Sequence, residues 1–192
     1  MATIRAGQQP VLLVVDMQVG VMAQAWEADR AVAQAARVVA RAREAGVPVI
    51  WVQHADAEMP TGSAAWKWVP ALVPAESELR VHKRHNSAFE ATSLDAELDR
   101  MMATHIVLAG AATNWCIRAT AYAALERGYD LTLVSDAHTT QDTPLDNGRV
   151  LHAQALVDDL NLAMTWLSYP GRRCATATAA GVDFGRPRPV TP

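Results

Sequence analysis

Five consecutive apolar residues, Val11-Leu12-Leu13-Val14-Val15, end abruptly on Asp16. A run this short with no polar alternation reads as a strand buried on both faces, which requires a parallel sheet with helices on each side. The same pattern recurs along the chain. Val47 to Val52 is a second β-rich run that delivers Gln53 and His54 at its end, Ile106 to Ala109 is closed by Gly110, and Leu131 to Val134 leads into Ser135-Asp136. Helical spacing fills the intervals. Val32, Ala35, Ala36, Val39 and Ala42 mark a helix over 25–45 before Gly46, and a short helical pattern through Leu94, Leu98 and Met101 follows Ser93. The stretch 114–127 stops at Gly128, and residues from Pro144 through Leu167 read as a last helix ended by Pro170-Gly171. Strands alternating with helices predict an α/β fold. Between them, residues 55–80 hold Pro60, Gly62, Pro70 and Pro74 around Trp66 and Trp68, an irregular excursion long enough to be a lid or binding loop. With no linker and no internal repeat, one domain over 1–192 is expected, with its core at about 10–184 and a Pro-rich loose tail at 185–192.

Composition excludes several classes of function. A formal net charge of -3 and no basic run longer than Lys83-Arg84 argue against a nucleic-acid partner. No apolar stretch approaches the roughly 18 residues of a membrane span, and the N-terminus lacks the layout of a signal peptide, so no membrane partner and a cytoplasmic location are expected. Two cysteines make no disulfide framework, and 192 residues are enough to bury a core without staples. The Gly110-Ala111-Ala112-Thr113 turn matches neither phosphate-loop pattern, so no nucleotide cofactor is expected.

In open α/β sheets ligands bind beyond the carboxyl ends of the strands, and few polar residues fall there. Asp16 is the first candidate, because a carboxylate behind five apolar residues needs a cation or a task. Cys116 follows Gly110 at a strand-to-helix turn, where a helix N-terminus favours a thiolate and free N–H groups suit an oxyanion. A lone free cysteine is also an ordinary small core residue. Lys83, by itself a surface charge, completes a possible set of nucleophile, proton acceptor and cation.

Taken together, Val14-Val15-Asp16-Met17-Gln18, Lys83 with Ser87-Ala88-Phe89 and Thr92-Ser93-Leu94, Gly110-Ala111-Ala112-Thr113-Asn114-Trp115-Cys116 and Asp136-Ala137 resemble, in order, the motifs of the isochorismatase-like cysteine hydrolases. The resemblance runs over nearly the whole chain. It implies a three-layer α/β/α fold with a mostly parallel six-stranded sheet in the order 3-2-1-4-5-6, and an Asp-Lys-Cys triad of Asp16, Lys83 and Cys116. It also implies a cis peptide at Ala111-Ala112 and an oxyanion hole formed by the N–H groups of Ala112 and Cys116. The cysteine favours amide or ureido hydrolysis through a thioester over the vinyl-ether cleavage of true isochorismatases. Gln18, His54, Trp115 and His138 are the residues expected to meet a small-molecule substrate. Trp66, Trp68 and Trp115 suggest an aromatic wall, and His138 either lines the pocket or braces its turn. The nicotinamidase metal site uses an Asp-x-His pair that Gln53-His54-Ala55-Asp56 lacks, so no metal is expected. Many relatives complete their sites as dimers or tetramers, which makes a homo-oligomer the expected assembly.

Two rival readings differ in testable ways. A Cys-His hydrolase would use His54, His82, His85 or His138 as the base for Cys116, and a non-catalytic thiol sensor would pair Cys116 with Cys174.

Overall fold

The computed structural model describes residues 2–184, so the tail expected at 185–192 lies outside the described residues. Six strands form the central sheet: β1 (Gln9–Val15), β2 (Val49–His54), β3 (Leu79–Lys83), β4 (Ala103–Ala111), β5 (Asp130–Thr139) and, after the short hairpin β6 (Thr143–Pro144) and β7 (Val150–Leu151), β8 (Cys174–Ala177). Their order is β3-β2-β1-β4-β5-β8 and every pair is parallel. Counting sheet strands only, that is 3-2-1-4-5-6, with the order reversing between β1 and β4.

Alternation along β1 explains the layers. Val11, Leu13 and Val15 point into one core with Leu94 and Leu98 of α3 (Leu94–Arg100), Ala121 and Leu125 of α4 (Arg118–Glu126), and Leu160 and Met164 of α5 (Ala153–Trp166). Leu12 and Val14 point into the other, against Ala31, Ala35, Val38, Val39 and Ala42 of α2 (Ala28–Glu44). All five β1 residues of the run are fully buried. The continuous apolar run is therefore what two covered faces demand.

Several elements differ from expectation. The last helix begins at Ala153 rather than near Pro144, because Asp146-Asn147-Gly148 closes a hairpin turn in which Leu145 N–H bonds to Arg149 O at 2.8 Å. Asp142 then accepts the Ala153 N–H at 2.7 Å and starts the helix. Strand β5 continues beyond Val134 to Thr139 through a bulge, since the step from Leu108 to Gly110 on β4 faces the step from Leu133 to His138 on β5. The bulge breaks the apolar run in sequence while carrying His138 to the sheet's carboxyl edge. A one-turn helix α1 (Val19–Met22), not foreseen, precedes α2.

The excursion after β2 has no regular element, yet it is tied down. Val19 N–H and Gly20 N–H bond to Lys67 O and Ala65 O at 2.9 and 2.8 Å, and Val69 N–H bonds to Met17 O at 3.0 Å. Its far end is anchored by Glu78, which accepts two bonds from Arg43 (2.8 and 2.9 Å), one from the Trp51 indole (2.7 Å) and one from Ala75 N–H (2.7 Å). Burial opposes the Glu78 charge, but these donors outweigh it and hold the carboxyl at about 2. Because the folded value lies below the unfolded one, the resulting stability is present above about pH 4.5 and is lost as pH falls toward 2. Glu78→Gln is expected to cost about 1 to 2 kcal/mol at pH 7 after solvent screening, with the gap to the parent narrowing below about pH 4.5 and closing near about pH 2 in paired denaturant titrations.

Candidate active site

Four neighbouring strands deliver the site at their carboxyl ends: β1 brings Asp16, β2 His54, β3 Lys83, and the turn after β4 Cys116. Asp16 leaves β1 in the left-handed region at φ 51, a conformation Asp tolerates, while its N–H still bonds to Val52 O at 2.9 Å. Opposite, Gly110 at φ 136 brings the two backbones together, since a Cβ there would meet Val15 O at 2.0 Å. The Ala111-Ala112 peptide is cis. A π-helical turn, Thr113–Ile117, follows and runs into α4, with Ile117 N–H reaching back to Ala112 O at 3.1 Å.

Lys83 Nζ is the hub of this arrangement. It lies 2.7 Å from Asp16 Oδ2 and 3.2 Å from Cys116 Sγ, donates to His85 O at 3.1 Å and faces His54 Nδ1 at 3.4 Å. An ammonium has three N–H groups for these four neighbours, and the His54 contact is the longest. Asp16 and Lys83 are 1% and 2% exposed, whereas Cys116 is only partly buried. Cys116 is thus the least buried residue of the three. Beside Lys83 and His82 opens a cavity of about 210 Å³, whose rim carries Thr61, Arg84 and His85.

Electrostatics in the free site differ from a preformed thiolate. Burial, and then the neighbouring Asp16 charge, push the Cys116 thiol up to about 12 against the attraction of Lys83. Burial also raises Asp16 above the usual carboxylate range, although Lys83 pulls it down. One cation cannot neutralise two anions, so the pair retains a proton and the resting sulfur is a thiol. Burial and the adjacent Asp16 charge thus work against the thiolate that a helix N-terminus favours.

The remaining candidates separate. Gln18 is fully buried and its amide is spent on backbone: Nε2 donates to His54 O at 3.0 Å and Trp66 O at 2.8 Å, and Oε1 accepts His54 N–H at 2.9 Å. With Gln53 donating to the same Trp66 O at 2.8 Å, it clamps the excursion instead of facing a ligand. His54 pairs through Nε2 with Asp56 Oδ2 at 3.0 Å, which leaves Nδ1 as the acceptor toward Lys83. Among the described residues no aromatic wall forms: Trp68 packs edge-on against Trp51, Trp66 stacks on His82, and Trp115 is 55% exposed on the Cys116 turn. His138 is buried between Thr113 Oγ1 at 2.9 Å and Asn161 Oδ1 at 3.1 Å, so it braces the turn.

Thr113, Thr140 and Asn161, which sequence reasoning did not single out, lie beside this turn: Thr113 and Asn161 flank His138, and Thr140 Oγ1 lies 2.6 Å from Asn114 Oδ1. Among the described residues no histidine hydrogen-bonds the Cys116 sulfur, and Cys174 contacts Met164 instead at 3.5 Å. Among the described residues no group of three or more His, Cys, Asp or Glu is arranged to hold a metal ion, and no helix is long and apolar enough to cross a membrane.

Comparison with known proteins places this geometry in context. The isochorismatase domain family matches residues 10–157. Streptothricin hydrolase of Streptomyces noursei is 35% identical over 143 residues, which is 69% of this chain and 50% of that protein, so the chain spans about half the length of that relative. Maleamate amidohydrolase of Pseudomonas putida is 31% identical over 153 residues, covering 68% of this chain and 72% of that protein. The crystal structure of an isochorismatase from Pseudomonas putida KT2440 superposes with a TM-score of 0.80 at 26% identity, covering 91% of each chain.

Proposed function

Because this chain belongs to the isochorismatase family, we propose that it is a cysteine hydrolase cleaving the C–N bond of a small amide or ureido compound. The observation that carries this reading is Lys83 Nζ lying within 2.7 Å of Asp16 and 3.2 Å of the Cys116 sulfur, with Cys116 the least buried residue of the three. Likeness to an amidohydrolase, the maleamate enzyme, supports the bond class.

In the proposed mechanism Asp16 takes the thiol proton as Cys116 Sγ bonds to the carbonyl carbon, and Lys83 offsets the charge that develops. The N–H groups of Ala112 and Cys116 receive the oxyanion. The tetrahedral species collapses by breaking the C–N bond, and Asp16 returns its proton to the departing nitrogen, leaving a thioester. Asp16 then removes a proton from water as the water oxygen attacks the thioester. Collapse releases the acid, and the thiolate regains its proton. The elevated titration of Asp16 suits a group that must both accept and donate.

The test is a panel of maleamate, an N-carbamoyl amino acid, nicotinamide and a vinyl ether, scored for ammonia or acid release with acid quenching and peptide mass spectrometry. The expected result is C–N cleavage of at least one member with an acyl mass increment on the Cys116 peptide. Cleavage of the vinyl ether alone, with no adduct, overturns the proposal.

A further inference from the structure

We infer that a one-directional hydrogen-bond chain from Ser135 through Asn161 and His138 to Thr113 holds the nucleophile turn in register with Asp16 and Lys83, making Thr113 and His138 positioning residues for Cys116. The inference rests on the reading of Cys116 as a nucleophile served by Asp16.

The direction of the chain follows from its far end. Asn161 Nδ2 donates to Ser135 O at 3.0 Å, and turning the amide over would set two oxygens against each other. Asn161 Oδ1 therefore faces His138 Nε2 at 3.1 Å, so that nitrogen carries the proton. His138 Nδ1 is left as an acceptor, and Thr113 Oγ1, 2.9 Å away, must donate to it. Every member has one role and no alternative partner state. Burial pushes His138 down to about 4, with the Asn161 contact opposing, so the ring stays neutral and the direction is kept near pH 7.

The chain ends where placement matters most. Thr113 opens the π-helical turn whose fourth residue is Cys116. Such a turn is a rare and poorly self-supporting conformation, found mostly as single turns at functional sites. A second tie from the same strand end reinforces it, since Thr140 Oγ1 lies 2.6 Å from Asn114 Oδ1. On the other side, among the described residues, only the 3.2 Å contact from Lys83 and the neighbouring Asp16 receive the sulfur. Displacement of about 1 Å at a reacting atom costs on the order of 100-fold in rate. The bulge in β5 is what delivers His138 and Thr140 to this turn, which gives that irregularity a purpose.

The experiment measures the second-order rate constant for iodoacetamide at Cys116 between pH 6 and 8 by peptide mass spectrometry, with Cys174 as internal control. Wild type is expected to show a shallow pH profile, because Asp16 assists proton removal. Asp16→Asn should rise about tenfold per pH unit, as for an unassisted thiol titrating above the range. Thr113→Val, which keeps the shape and deletes the donor, should move to the steep profile and react at least about fivefold more slowly at pH 7. Thr113→Ser, and His138→Gln with its matching acceptor and donor, should stay within about threefold of wild type.

A wild-type profile in Thr113→Val overturns the inference, as does equal slowing in Thr113→Ser, which would make the site a matter of packing. Should Thr113→Val not fold, Asn161→Leu cuts the same chain at its other end and is held to the same outcome. A steep profile in wild type itself, matching Asp16→Asn, refutes Asp16 as the base and so the mechanism on which this inference rests. A shallow wild type with a shallow Thr113→Val refutes the brace alone.

Discussion

Cys116→Ala is expected to abolish turnover, lowering kcat for any amide the protein hydrolyses by at least about 10⁴-fold, while the protein stays folded. Without the sulfur there is no atom to form the thioester, and the paired Asp16 and Lys83 behind it can only position water. The substitution removes one atom from a partly exposed side chain at the edge of the α3–α5 core, so its cost to stability is small. Asp16→Asn should lower kcat comparably but by a different route, because the buried thiol then has no neighbouring acceptor for its proton. Steady-state kinetics on the first hydrolysed member of the substrate panel, with melting curves alongside, check both variants. Hydrolysis by Cys116→Ala at the wild-type rate would refute the nucleophile outright. A loss in Cys116→Ala with full activity in Asp16→Asn would shift the base to another group and revive the Cys-His reading.

Gly110→Ala is expected to destabilise the protein by more than about 4 kcal/mol, lowering Tm by over about 10 °C, or to prevent folding altogether. The added methyl would sit 2.0 Å from Val15 O, well inside contact distance, and the φ of 136 there is closed to L side chains. Relief requires β1 and β4 to part, which breaks the central pair of the sheet and separates the Asp16 turn from the cysteine turn. Gly46→Ala is the matched control. It also has positive φ, at 67, but nothing lies within 4 Å of its Cβ, so its cost should be about 1 kcal/mol. Equal melting temperatures for the two variants would show that the close approach at Gly110 is not obligatory.

Much of the architecture was legible in the chain because burial on both faces leaves an unmistakable mark. The run from Val11 to Val15 needs an apolar side chain at every position, and the helical spacing in α2 needs one at every third or fourth. Alternation of the two implies parallel strands, and the carboxyl ends of those strands are where Asp16, Lys83 and Cys116 fall. The boundaries around His138 and Pro144 were less legible. A bulge inserts polar residues into a strand that resumes beyond them, and a hairpin of two-residue strands has too few residues to set a period.

Side-chain roles at the site divide along the same line. Asp16 drew notice as a carboxylate ending a buried strand, a conflict visible in one dimension. Gln18 and His138 carry no such conflict, because whether a buried amide or imidazole faces a ligand or a carbonyl depends on what lies across a gap. For Gln18 the answer is backbone some 36 and 48 residues away, and for His138 it is Thr113 and Asn161. The state of the thiol was likewise beyond reach of the sequence. Residue type and helix position argue for a lowered pKa, and only the depth of burial and the adjacent carboxylate reverse the sign. Local patterning thus determined the layers and singled out the candidate site residues, since each leaves its trace in neighbouring positions, whereas the strand order came from the family resemblance. The tertiary structure alone decided which polar groups are spent on one another, which way each hydrogen bond runs, and where the proton rests, because those depend on distances between segments that the chain order does not encode.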